Sequence, residues 1–233
     1  SMGMCGRYSI FTPPAELAQR FGVEVPDALG RRYNATPGQQ LPVITNEAPE
    51  RIQLQKWGLV PSWSDSATGG LINARAETVD EKPAFRSAYE SRRCLVVADG
   101  FYEWVETETG KRPYRVAYED NRPFAMAGIF ERWAPSQKQT GLGDFGETAP
   151  DRSVETIETF SILTTEPNDL VADLHHRMAV VLPEADERRW LTEAHPRDLF
   201  DIGDDPALRA YAVSRAVNDP SNDDPQLIEP VES

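Results

Sequence analysis

The chain has 233 residues, 39% of them hydrophobic and 27% charged, with 38 acids against 24 bases and a formal charge of −14. One domain with a sizeable core fits that length, and the apolar content with five Trp excludes wholesale disorder. No apolar run approaches the roughly 18 residues of a membrane span, no secretory segment opens the chain, and two Cys with three His are poor material for a disulfide scaffold or a metal site.

Residues 5–11 read as a short strand. Thr12-Pro13-Pro14 then opens a helix with a hydroxyl cap and an early proline, and Leu17, Ala18 and Phe21 give it an apolar face before Gly22. Residues 31–38 are turn-rich. Strands follow over residues 41–45 and 52–59, the second alternating apolar with polar. Pro61 and Gly69-Gly70 punctuate a loop, and a short helix is expected over 81–92.

The centre is strand-rich. Residues 94–98 are wholly apolar, 101–106 alternate, and Thr109-Gly110 supplies a hairpin turn into strands at 114–118 and 124–133. Residues 135–157 read as a flexible surface insertion. A strand at 160–165, a short helix at 168–174, a strand at 178–182, a helix at 184–191 and a last strand at 208–217 complete the order. The expected organisation is one domain over 5–218 with an acidic tail over 219–233. Short strands broken by short helices point to an α+β fold around a curved or barrel-like sheet.

The chemistry starts at Met4-Cys5-Gly6-Arg7-Tyr8. Ser1-Met2-Gly3 reads as an expression scar, which makes Met4 the initiator. Removal of Met before a small residue would leave Cys5 first. Its amine, with a pKa of about 8, would then sit beside a thiol of about 8.5. A 1,2-aminothiol captures aldehydes: the amine forms an imine and the thiol closes a thiazolidine. Taken alone, Cys5 reads equally as a small buried residue at a strand edge.

Further motifs stand in order along the chain. They are Trp57-Gly58-Leu59-Val60-Pro61-Ser62-Trp63 with Asn73-Ala74-Arg75-Ala76-Glu77-Thr78, Ala98-Asp99-Gly100-Phe101-Tyr102-Glu103-Trp104, and Leu174-His175-His176-Arg177-Met178. With the N-terminal Cys-Gly-Arg they resemble the SRAP family (SOS response-associated peptidase), which includes shields of abasic DNA. The resemblance runs from Cys5 to about Leu182, and residues 213–230 also fit. It departs at Ala179, where the family usually has Pro.

The resemblance implies a single α+β domain with a twisted, barrel-like, mainly antiparallel β core and flanking short helices. It also implies covalent capture of abasic sites in single-stranded DNA. The ring-opened deoxyribose exposes an aldehyde at C1′, and Cys5 would condense with it through amine and thiol. Glu103 would be the general acid/base, with its carboxyl pushed upward by desolvation. His175 would move a proton, and Asn73 would orient the amine or a sugar hydroxyl. Read in isolation, Glu103 is a strand residue, His175 part of a surface cluster and Asn73 a turn residue.

For DNA contacts the resemblance offers Gly6, Arg7, Pro37, Trp63, Arg75, Thr165 and Arg177, with the arginines on phosphates and Trp63 stacking or wedging. Trp57 and Trp104 read as core. Residues 1–100 carry 11 bases and 11 acids, whereas 101–233 carry 13 and 27. Twenty of the 24 bases are Arg, a composition also typical of salt-adapted surfaces. A narrow basic groove fed by Arg7, Arg75 and Arg177 is therefore expected on an acidic body, with distant acids screened. No cofactor or metal is implied, and a cytoplasmic or nucleoid-associated monomer is expected. Autoproteolysis and lyase action accompany the family reading. The alternatives are a cysteine peptidase or N-terminal-nucleophile amidohydrolase using the Cys5 thiol, and a noncovalent single-strand binding module.

Overall fold

The apolar run at 94–98 is the middle of the molecule because both its neighbours are strands. In the computed structural model, which describes residues 5–135 and 155–232, five strands close on themselves. They are β3 (Gln40–Thr45), β4 (Ala48–Trp57), β6 (Arg93–Ala98), β9 (Phe124–Trp133) and β10 (Ile157–Thr165). The circuit β10-β4-β3-β6-β9 returns to β10, antiparallel everywhere except between β10 and β4. Closure removes the free edges that an open sheet of these strands would expose. Its interior holds Val43, Val96, Met126, Phe130, Phe160 and Ile162, all buried.

Three short strands extend this barrel. β5 (Asn73–Arg75) runs parallel to β10, and β11 (Met178–Ala179) pairs with the last residues of β10. β12 (Val181–Leu182) joins β9. The expected single strand over 178–182 is thus a hand-over at Val180, whose N–H donates to Leu163 while its carbonyl accepts from Ala127.

A second sheet packs on the first, in the order β13-β8-β7-β1-β2. Its members are β1 (Tyr8–Ile10), β2 (Arg32–Ala35), β7 (Gly100–Thr107), β8 (Gly110–Tyr118) and β13 (Leu208–Ala212). The β7–β8 hairpin turns at Glu108-Thr109, one residue ahead of the expected place. Tyr8, Ile10, Phe101 and Val116 from this sheet share one core with the barrel. Tyr102, Val213, Val217 and Leu227 form a smaller cluster on its other side. The chain beyond residue 218 lies on the sheet: Asp223 accepts from the N–H groups of Tyr33 and Asn34, and Val231 N–H donates to Ala212.

Helices are short and peripheral. α1 (Pro14–Phe21) ends on Gly22 in the left-handed region, with φ 63°. Its cap residue is Pro13 and not Thr12, because the Thr12 hydroxyl is spent on Asp99. The turn-rich reading of 31–38 missed β2, a strand held by β1 and by the C-terminal segment and not by its own polar sequence. α2 (Arg86–Ser91) is half the expected helix, preceded by turns around Pro83. α3 (Asp169–Ala172) is capped by the Asn168 side chain, and α4 (Glu187–Thr192) follows a 3-10 turn. The last strand stops at Ala212, after which Ser214 caps a 3-10 turn over Arg215–Asn218. The insertion at 135–157 falls mostly outside the described residues. Among the described residues no helix is long and apolar enough to cross a membrane.

Candidate functional site

Cys5 lies just ahead of β1, at 1% exposure. Its strand is fixed by a buried polar network whose hub is Asp99, at the corner between β6 and β7. The Asp99 carboxylate accepts from the Ser9 hydroxyl at 2.7 Å, from the N–H groups of Phe11 and Thr12 at 2.7 and 3.0 Å, and from the Thr12 hydroxyl at 2.9 Å. Fully buried Arg115 compensates its charge and also donates to Ser9 and to the Asp99 carbonyl. The sequence assigns no role to Ser9, Asp99 or Arg115, although Asp99 lies inside a quoted motif, since the contacts that Ser9 makes with the other two span about a hundred residues.

β7 delivers Glu103 to the same place. Tyr8 pairs with Phe101, and Tyr102 N–H donates to the Arg7 carbonyl at 3.0 Å, so continuing that register brings Glu103 beside Gly6 and Cys5. Strand alternation puts Glu103 on the inward face of Phe101, opposite Tyr102 and Trp104. The side chain is 3% exposed and its Oε1 accepts no hydrogen bond. Burial raises its carboxyl to about 8. Burial, and then the Glu103 charge, hold the Cys5 thiol well above its ordinary value.

Asn73 arrives from β5. Its Nδ2 donates to the Cys5 carbonyl at 3.4 Å and to the Ile162 carbonyl at 3.5 Å. The Oδ1 atom is buried without a donor, a second orphan acceptor in the Cys5 neighbourhood. The Tyr8 hydroxyl is a third buried polar atom without a partner, its ring packed on Trp57 at 5.0 Å. Trp57 is core as expected, but Trp104 is half-buried on the outer face and donates to Asn218 at 2.7 Å.

His175 stands at the end of the barrel where β10 is flanked by β5 and β11. It is half-buried, stacked on His176 with ring centres 4.3 Å apart, and its Nδ1 accepts from Arg177 N–H at 3.0 Å. Burial lowers its pKa from the ordinary value. Among the described residues no hydrogen bond ties it to Cys5, Asn73 or Glu103.

The expected DNA contacts divide. Trp63 is 67% exposed, Pro37 and Arg75 are exposed, and Gly6 is half-buried. Arg75 makes no ion pair among the described residues. Arg7 is half-buried and donates to Asn34 Oδ1 at 3.1 Å and to the carbonyls of Val217 and Asn218, neutral acceptors, while the Asp219 carboxylate acts on its charge without forming an ion pair. Thr165 is buried and donates to the Phe200 carbonyl at 2.8 Å, beside a cavity of about 490 Å³ that Glu77, Arg197 and Phe200 also line. Arg177 departs from the expectation. It is 3% exposed and its guanidinium grips both Glu77 oxygens at 2.7 and 2.8 Å, so it is not a free phosphate donor. Glu77 lies in the same motif as Asn73 and Arg75, and the motif alone assigns it no role.

The chain is similar to known proteins over nearly its whole length. The model of the family described as SOS response associated peptidase (SRAP) matches residues 4–220. The abasic site processing protein YoqW of Bacillus subtilis is 34% identical over 97% of this chain and 99% of its own. The abasic site processing protein HMCES of Gallus gallus is 29% identical over 98% of this chain and 78% of its own. A crystal structure of a Bacteroides thetaiotaomicron protein superposes with a TM-score of 0.79 at 28% identity, covering 98% of this chain and all of that one. A barrel that sets Cys5 against Asn73 and Glu103, in a chain matched almost end to end, belongs to the SRAP family.

Proposed function

We propose that this protein senses abasic sites in single-stranded DNA and shields them by forming a thiazolidine with Cys5. Relatives at 34% and 29% identity are named as abasic site processing proteins, which supports the lesion as substrate. The observation that carries the chemistry is Glu103, a buried carboxyl with a pKa of about 8 next to Cys5.

The reaction requires Cys5 as the first residue, with a free amine. That amine adds to the C1′ aldehyde of the ring-opened sugar, giving a carbinolamine. Glu103, protonated at neutral pH, donates its proton to the departing hydroxyl, and water leaves as the iminium, the protonated imine, forms. The thiol then adds to the imine carbon and yields its proton to the Glu103 carboxylate, restoring the acid. The sum is amine, thiol and aldehyde giving thiazolidine and one water. A raised thiol suits this order, since sulfur attacks only after the imine has made C1′ electrophilic. Asn73 holds the Cys5 carbonyl, and its Oδ1 can accept from the amine or from a sugar hydroxyl. Arg7 and Arg75 meet phosphates, while Gly6, Pro37, Trp63 and Thr165 border the strand.

A thiolate peptidase requires the reverse electrostatics, a base that lowers the thiol pKa. Here burial and Glu103 both raise it, and His175 Nδ1 is engaged by Arg177. The test is intact mass and denaturing electrophoresis of protein beginning at Cys5, mixed with an abasic single-stranded oligonucleotide. The expected product has the summed mass less one water, and Cys5→Ala forms none. Binding without a denaturation-resistant product would leave only the noncovalent module.

A further inference from the structure

His175 Nδ1 has one neighbour able to serve both of its protonation states, the backbone at Arg177. The N–H of Arg177 points at Nδ1 from 3.0 Å, and the Arg177 carbonyl lies 3.2 Å from the same nitrogen. The shorter of the two contacts aims a donor at Nδ1, and accepting it requires a lone pair there, with the proton of the neutral imidazole on Nε2. If Nδ1 gains a proton, the carbonyl is in place to accept it.

This arrangement depends on where the Arg177 backbone sits, and its side chain anchors it. The guanidinium donates to both Glu77 oxygens at 2.7 and 2.8 Å, to the Thr164 carbonyl at 2.8 Å and to the Thr164 hydroxyl at 3.2 Å. Glu77 follows Asn73 and Arg75 on the same stretch of chain, whereas Arg177 precedes β11. The pair therefore ties the segment carrying Asn73 to the segment carrying His175, across the end of β10.

We infer that Glu77 is a positioning residue for His175, acting through its two-pronged grip on Arg177 to hold the histidine as the Nε2–H tautomer. The inference rests on the abasic-site reading for its consequence, the rate of crosslinking, but not for the tautomer itself. The charged or titratable groups around the ring are His176, which stacks on it, Lys111 from the β7–β8 hairpin, and Arg177 itself. All three oppose a further positive charge on the ring. Glu77 offsets the Arg177 charge, so its removal strengthens that opposition and also frees the Arg177 backbone to drift.

Two measurements decide the matter. Nitrogen NMR of the imidazoles in the wild-type protein at neutral pH, assigned with His175→Gln, should show His175 with a protonated Nε2 and a bare Nδ1. A protonated Nδ1 there would overturn the inference whether or not the protein crosslinks DNA. Glu77→Gln, which keeps the shape and removes the charge, should mix the two tautomers and shift the acid limb of the pH–rate profile for crosslinking. It should also slow crosslinking about tenfold at saturating DNA, a fraction of what general acid–base catalysis supplies. Glu77→Asp, retaining a carboxylate, should restore most of the tautomer bias and of the rate. An unchanged tautomer and pH profile in Glu77→Gln would sink the positioning role. A wild-type protein with the expected tautomer that forms no crosslink would instead count against the abasic-site reading.

Discussion

Asn73 and Cys5, 68 residues apart, meet through a hydrogen bond from the Asn73 side-chain amide to the Cys5 carbonyl at 3.4 Å. It fixes the plane of the residue whose amine and thiol must both reach one carbon. Asn73→Ala should cost only about 1 kcal/mol of stability, the usual net worth of one such bond. Crosslinking should slow far more, by about 10²-fold, because misplacing a nucleophile by an ångström has that consequence. Single-turnover rates at saturating abasic DNA, set beside denaturant melts, separate the two effects. Equal losses in rate and in folding would show that Asn73 is only structural.

Glu103 offers a second handle, because its proton belongs to the folded state. The unfolded chain releases that proton above about pH 4.5, while the folded protein keeps it up to about pH 8. Stability from this group is therefore complete below pH 4.5 and is lost as pH rises to 8, a decline on the order of 5 kcal/mol at 1.36 kcal/mol per pH unit. Glu103→Gln cannot lose a proton and should escape this decline. Urea melts at pH 6 and pH 9 should show the variant gaining on wild type at the higher pH while failing to crosslink. A wild-type protein equally stable at both values, with the variant unchanged beside it, would mean Glu103 is ionised at neutrality.

Much of this was readable from the chain, for identifiable reasons. The run at 94–98 and the alternation at 101–106 are local patterns, and both strands are present in β6 and β7. Cys5, Asn73 and Glu103 are marked by motif, and they converge because the segment entering β1, the first residue of β5 and the middle of β7 come together. What stayed hidden depends on partners remote in sequence. β2 has strand geometry because β1 and the C-terminal segment hold it, and Thr12 lost its capping role to Asp99. By motif Arg177 reads as a phosphate ligand, but its partner stands 100 residues earlier, at Glu77. A motif gives residue type and order; it does not say which charge is already spent.

That distinction separates two arginines. Arg75 is exposed without an ion pair among the described residues, so Arg75→Ala should leave the melting midpoint unchanged. It should lower the salt dependence of single-strand binding, reducing the slope of log K against log salt by about 0.7 for one lost phosphate contact. Arg177→Ala removes a buried cation together with its hydrogen bonds to Glu77 and Thr164, at a cost of about 1.5–3 kcal/mol, since the Glu77 carboxylate left behind is open to solvent. Its salt slope should stay at the wild-type value. Affinity titrations between 50 and 200 mM salt, roughly the range over which counterion release is pronounced, read both. A reduced slope for Arg177→Ala would return it to the phosphate contacts.

Trp63 poses the clearest case of function without stability. It stands on the loop between Leu59 and Leu71, whose N–H and carbonyl groups pair at 2.9 Å in both directions to close the loop base. At that base Gly58 has φ 128°, and a Cβ on Gly70 would fall 2.2 Å from the Gly58 carbonyl oxygen. The backbones touch, so the loop can close only with glycine there. Trp63→Ala removes an exposed side chain and should not move the melt, yet it should weaken single-strand binding by about 1–3 kcal/mol, the worth of one base stacked on an aromatic ring. Gly70→Ala should reach the same weakening by another route, forcing the loop base apart and costing about 1–3 kcal/mol of stability as well. In the double variant the two binding losses should not add, because Trp63 contributes nothing once its loop is displaced. Additive losses in fluorescence titrations with an intact oligonucleotide would place the Gly70 effect elsewhere and remove the loop from the DNA path.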